Sequence, residues 1–173
     1  MIKTLFALLI VITFSVASFS QDKVELSDFE FNPQFRSVQL DGSFGIWSKK
    51  IGGAFDYDLF SNRNKKQSWL SLGFRTGADV IWLSEMSGDY SPITHINLYA
   101  RSSIEGAIIR LDAYGGGAYQ FISKESTKAK NELVFKGGLD FKVKLSPNAG
   151  LLLNFGLSTG ESYFGLGIYL SFK

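Results

Sequence analysis

Past its first twenty residues this chain holds no apolar stretch long enough to cross a bilayer as a helix, yet from residue 34 onward its apolar residues recur at every second position. Period two marks strands whose two faces meet different surroundings, and the 3.6-residue period of an amphipathic helix is almost nowhere to be found. A chain of this kind that enters a membrane must do so with strands. They must close on themselves, because an open sheet edge in hydrocarbon leaves backbone N–H and C=O groups without partners.

The alternation resolves into eight segments. In the first, Val38, Leu40, Gly42, Phe44 and Ile46 oppose Ser37, Gln39, Asp41, Ser43 and Gly45, and Lys49-Lys50 closes it. The second sets Phe55, Tyr57 and Leu59 against Ala54, Asp56, Asp58 and Phe60, and the third sets Leu70, Leu72, Phe74, Thr76, Ala78, Val80 and Trp82 against Ser71, Gly73, Arg75, Gly77, Asp79 and Ile81. The fourth separates Ile96, Leu98, Ala100 and Ser102 from His95, Asn97, Tyr99, Arg101 and Ser103, and the fifth separates Ile109, Leu111, Ala113, Tyr119 and Phe121 from Arg110, Asp112, Tyr114 and Gln120. Gly115-Gly116-Gly117 inside the fifth reads as a bend or bulge. It is no phosphate loop, since no helix and no Lys-Ser/Thr pair follow it. The last three segments run from Leu133 to Leu145, from Leu151 to Ser158 and from Tyr163 to Phe172.

Polar stretches separate the segments, the two longest being residues 84–92 and 123–131. An even number of segments in hairpin order, with nothing long enough for a crossover helix, predicts an all-β fold. The expected architecture is an eight-stranded antiparallel up-and-down transmembrane β-barrel occupying residues 34–173. Residues 1–20 have the layout of a signal peptide, with Lys3 ahead of the apolar run Leu5 to Val16 and the stretch Ala17-Ser18-Phe19-Ser20, whose Ala17, Ser18 and Ser20 are small, at the cleavage site. Residues 21–33 are expected to form an N-terminal tail.

Which face is outside decides between membrane and water. The apolar faces of the third, sixth and eighth segments carry no charge, while the opposite faces mix Gly, Ser and Asn with charges of both signs. Those charges are Asp41, Asp56, Asp58, Arg75, Asp79, Arg101, Arg110, Asp112, Lys136, Asp140, Lys142 and Lys144. A narrow barrel interior calls for this mixture, because buried charges must pair and small residues leave them room. The twelve are therefore expected to interlock as a charge network filling the lumen, with Arg75 and Arg101 bridging to aspartates. A charge at the bilayer midplane costs about 2–4 kcal/mol, which opposes the reverse placement. Phe44, Trp47, Phe55, Trp69, Trp82, Phe121, Tyr163 and Phe172 lie at or near segment ends, where aromatic girdles meet the two interfaces.

Composition removes several functions. There is no cysteine, hence no lipoprotein anchor, disulfide, thiol nucleophile or thiolate metal site. Past residue 20, 17 basic residues stand against 16 acidic ones, a balance that predicts no nucleic-acid partner. No cofactor is expected, since the carboxylates are scattered over separate segments and His95 is the only histidine.

With the layout of the N-terminus, the strand patterning and the alternating aromatic and aliphatic end Tyr163 to Phe172 in view, the chain resembles small outer-membrane β-barrel proteins of Gram-negative bacteria shaped like OmpA and OmpX. The resemblance implies residence in the cell outer membrane among its lipids, with the terminal strand read by the barrel-insertion machinery during assembly. Those proteins commonly end on Phe, whereas Lys173 follows Phe172 here. The function expected is a structural or adhesion-type barrel without catalysis, meeting an extracellular or envelope partner through loops 84–92 and 123–131. One alternative is a secreted or periplasmic lipocalin-like barrel for a small apolar ligand, which Gly45-Ile46-Trp47 resembles over three residues. A minor one is a lipid-modifying enzyme. Barrels that resemble lipid A deacylases place a Ser two residues from their His, but here Asn97 stands at that spacing. Glu105 would lie about 30 Å from His95 along its strand at ~3.3 Å per residue, beyond reach for a triad.

Overall fold

The structure is a computed structural model and describes residues 29–45, 48–63, 69–84, 90–122, 131–158 and 161–172. The expected signal peptide, most of the expected tail and the 123–130 part of the second long loop lie outside them, as do residues 85–89 of the first. Eight strands are present: β1 (Glu30–Gly45), β2 (Ser48–Arg63), β3 (Trp69–Ser84), β4 (Tyr90–Glu105), β5 (Ile109–Ile122), β6 (Glu132–Ser146), β7 (Ala149–Ser158) and β8 (Glu161–Ser171). Each pairs antiparallel with the next, and β1 returns to β8 from Ser37 opposite Ser171 to Gly45 opposite Tyr163, so the sheet is a closed up-and-down barrel. Closure leaves no edge along the shared height of the wall, which is what a span through hydrocarbon requires.

The apolar faces point outward. Leu40, Phe44, Ile51, Leu98, Leu133, Leu157 and Leu166 are each more than half exposed, whereas Asp56, Asp58, Asp112, Asp140 and Lys142 are fully buried. A water-soluble barrel would show the opposite arrangement. The outside therefore matches an apolar solvent and the inside is polar, as in transmembrane barrels.

Four departures from strict register have a common cause. The β1–β2 register shifts between Phe35 and Ser37, so Arg36 and Ser37 both turn inward. Without that shift Arg36 would share the lipid side with Val38 and Leu40. The β2–β3 register shifts between Asp58 and Phe60, which sends Phe60 outward, where it meets Phe31 edge-on at 5.5 Å. The expectation that Phe60 shares a face with Asp58 is thus corrected. A bulge adds one residue to one strand and inverts the facing of all that follows. Two further shifts lie between Phe31 and Gln34 and between Lys144 and Ser146.

The glycine triplet, by contrast, is no bulge. Gly115, Gly116 and Gly117 pair in unbroken register with both neighbours, and a Cβ on Gly116 would stand 2.4 Å from the Leu98 carbonyl oxygen. Its role is close approach of β5 to β4. β1 also begins at Glu30, so residues 30–33, expected in the tail, belong to a strand, with Glu30 and Phe31 paired to Ser61 and Phe60 of β2. Among the expected girdle residues, Phe44, Phe121 and Phe172 are outward. Phe55 is outward at mid-strand, opposite Val38 and Thr76, and Tyr163 points into the lumen over the Lys50 ammonium. The side chains of Trp47 and Trp69 lie outside the described set.

Candidate functional site: the charged lumen

The inward face of each strand supplies one row of the lumen, and the barrel's ends differ. At one, the terminal end, the described chain starts and stops and the links 64–68, 106–108 and 147–148 join the strands. The other, the loop end, carries 46–47, 85–89, 123–131 and 159–160.

Toward the terminal end the side chains bond across the full width of the barrel. Asp56 on β2 accepts hydrogen bonds from Arg75 Nε at 2.7 Å, Lys142 Nζ at 2.8 Å, Ser37 Oγ at 2.8 Å and Arg110 Nη2 at 3.2 Å, so donors from β3, β6, β1 and β5 meet on one carboxylate. Asp112 on β5 takes Lys142 at 2.7 Å, Arg110 Nε at 2.8 Å, and Arg75 and Arg101 at 3.3 Å each. Arg75 also reaches Asp140 at 2.6 Å, and Arg101 pairs with Asp58, which Ser71 Oγ supports at 3.0 Å. The four carboxylates Asp56, Asp58, Asp112 and Asp140 thus stand against the four cations Arg75, Arg101, Arg110 and Lys142. Nearest the terminal end, Glu105 holds Arg36 and, at 2.6 Å, Lys144, whose Nζ also donates to the Gly106 carbonyl at 2.9 Å. Desolvating this many ions is costly, and only mutual pairing with nearly every lone pair occupied offsets it.

Toward the loop end the charges are sparser and interleaved with amides and tyrosines. Lys136 Nζ lies 3.0 Å from Asp79 Oδ1 and 2.6 Å from His95 Nδ1. His95 Nδ1 is also 3.0 Å from Asp79 Oδ1, so Lys136, His95 and Asp79 form one cluster, and the ring's Nε2 meets Gln120 Oε1 at 3.0 Å. Asn97 Nδ2 donates to the other Asp79 oxygen at 2.7 Å. Across the lumen, Lys50 pairs with Asp41 at 3.1 Å and sits 4.3 Å from the Tyr163 ring centre. Tyr99 and Tyr114 pack at 5.3 Å, with the Arg75 guanidinium over Tyr114. Between these groups and Arg75 remains a cavity of about 30 Å³, lined also by Gln39 and Asn154.

The structure places all twelve sequence-selected charges inside; eleven are buried, and Lys144 is partly exposed at the terminal end. Sequence reasoning did not select Arg36, Lys50 or Glu105 for this set. Lys50 and Glu105 are in phase with Asp56 and Arg101 and are detectable by parity, but Lys50 reads as the close of a segment and Glu105 stands directly before the turn residue Gly106. Arg36 is out of phase and only the bulge turns it in. With these three added, seven carboxylates stand against eight cations among the described residues. His95 and Glu105 belong to separate clusters, the first on Asp79, Lys136 and Gln120 and the second on Arg36 and Lys144. Among the described residues no three His, Asp or Glu side chains are grouped to hold a metal ion.

No protein-family model matches the chain, and no curated protein matches it in sequence. Its fold is similar to the N-terminal β-barrel domain of Pseudomonas aeruginosa OprF, at TM-score 0.56 and 16% identity over 82% of this chain and 100% of that one. It is also similar to the Yersinia pestis outer membrane protein Ail in a phospholipid bilayer nanodisc, at TM-score 0.52 and 10% identity over 80% of this chain and 99% of that one. The fold is that of a transmembrane β-barrel.

Proposed function

We propose that the protein is a structural or adhesion-type barrel of the bacterial outer membrane, without catalytic function, that acts through the segments at its loop end. One observation carries this reading: lipid-like solvation outside and a lumen bonded from wall to wall inside. Asp56 alone joins four strands to its own across the interior. Such a cross-section supports rigidity better than passage of solutes. A rigid scaffold that holds its longer connecting segments at one end suits envelope integrity or contact with a partner. Loops 84–92 and 123–131, both at the loop end, are the segments offered to that partner. The lipocalin-like reading is disfavoured, because an apolar ligand needs an apolar lumen and this one is lined with paired charges.

The test has two parts. The mature protein should fractionate with the outer membrane and migrate differently on a gel when boiled and unboiled. Leu98→Arg, at mid-strand between Thr76 and Gly117 on the outer wall, should lower stability by about 2–4 kcal/mol in bilayers. A soluble protein with no heat shift, or a Leu98→Arg variant as stable as wild type, overturns the membrane reading. Replacing the two loops with short Gly-Ser turns should abolish adhesion or envelope phenotypes while leaving the heat shift intact.

A further inference from the structure

Three amide oxygens around the loop-half cavity have no partner: Gln39 Oε1, Asn97 Oδ1 and Asn154 Oδ1. All three side chains are more than nine-tenths buried. Their orientation is forced. Asn97 Nδ2 is held by Asp79 at 2.7 Å, Gln39 Nε2 by Asp140 at 3.3 Å, and Asn154 Nδ2 by Asp140 and by the Tyr114 hydroxyl at 2.8 Å. An ionised carboxylate accepts and never donates, so turning any of these amides around would set oxygen against oxygen. The three carbonyl oxygens are thereby left as acceptors on residues that line one cavity.

We infer that this cavity is a binding site for ordered water, a small cluster that donates hydrogen bonds to the three amide oxygens. A buried carbonyl that gives up its water without gaining a donor destabilises the fold, so three of them need donors. The space, about 30 Å³, is large enough for a water and is polar, the two conditions under which buried sites are occupied. A metal cation would also satisfy carbonyl oxygens, but charge decides against it. The described lumen already holds one more cation than carboxylate, and of the charges that line this cavity Lys50 and Arg75 balance Asp41 and Asp79, both already paired with lysines, so no net negative charge awaits a cation. A neutral donor meets the need without adding to that excess. The loop half of the lumen is therefore wet, and the layer of Arg75, Asp140 and Asn154 is the floor of the water.

The site is testable in the full protein reconstituted in bilayers and labelled with carbon-13. Water-edited solid-state NMR should polarise the amide carbons of Gln39, Asn97 and Asn154 several-fold faster than the carboxylate carbons of Asp56 and Asp112. Equal build-up in the two groups overturns the inference. So does an anomalous peak beside the three oxygens in crystals grown with rubidium chloride, which would make the site a cation site. Gln39→Met keeps the volume and removes one acceptor, and it should slow the build-up at Asn97 and Asn154. Unchanged build-up there would mean that the three oxygens share no cluster.

Discussion

The two halves of the lumen solve the same problem, how to bury charge inside a narrow tube, in different ways. Toward the terminal end every cation touches two or more carboxylates or a backbone carbonyl, and the bonds cross from wall to wall. Toward the loop end the ion pairs are sparser, Lys50–Asp41 between the neighbouring strands β2 and β1 and Lys136–Asp79 from β6 across to β3, and tyrosines and amides stand between them. The first arrangement stakes stability on dense mutual pairing, in which Asp58 Oδ2 and Arg101 Nε are left without a hydrogen bond. The second leaves space and relies on neutral donors. Low dielectric makes the difference matter, because a charge left unpaired in a dry network has nothing to solvate it, while one beside a hydrated cavity does.

The largest effect should come from breaking the dry half. Asp56→Asn keeps the shape but strips the charge that Arg75, Arg110 and Lys142 share, and should lower stability by about 3–5 kcal/mol, read as the urea midpoint in bilayers. Lys136→Met removes a cation of similar burial from the wet half. With Asn97 still bonded to Asp79 and water at hand, the loss should be nearer ~1–3 kcal/mol. If the second variant proves the more damaging, the contrast between the halves is wrong. Two glycines sharpen it. A Cβ on Gly73 would meet the Tyr57 carbonyl oxygen at 1.9 Å, so the strands must part, and Gly73→Ala should cost about 1–3 kcal/mol. On Gly156 the same atom meets the Tyr163 ring, which has the cavity to swing into. Gly156→Ala should be milder and should move the Tyr163 ring resonances, and an equal loss in the two variants would show that the loop half is as tightly packed as the other.

Most of the barrel was readable because period two leaves little freedom once one face is known. The inward placement of Asp41, Arg75 and Lys142 follows from parity alone, given the apolar neighbours Leu40, Phe74 and Phe141. Arg36 and Phe60 were not readable, since each lies beyond a bulge and nothing in the local sequence marks where the extra residue sits. The division into dry and wet halves was hidden for another reason. It depends on which strands face each other across the lumen, and Gln39 meets Asp140 over a separation of 101 residues. Parity says that both look inward and not that they touch. Tyr99 and Tyr114 fall on inward faces by parity and Tyr163 stands among the expected girdle residues, but their joint construction of a cavity needed the register of β4, β5 and β8.

The smallest expected effect comes from within one strand. Lys142 and Lys144 lie two residues apart on the same face of β6, so they share strand, facing and residue type. Lys142 is fully buried and bonds Asp56 and Asp112, whereas the Lys144 side chain is 20% exposed and reaches Glu105, which Arg36 already holds. Lys144→Met removes a second cation from a carboxylate that keeps its first, at a site where solvent screens the remainder. Its cost should be about 0–1 kcal/mol. Lys142→Met should instead fall with Asp56→Asn. If the two lysine variants lose the same stability in a urea titration, the dry network does not end between Lys142 and Lys144, and the terminal end is sealed out to Glu105.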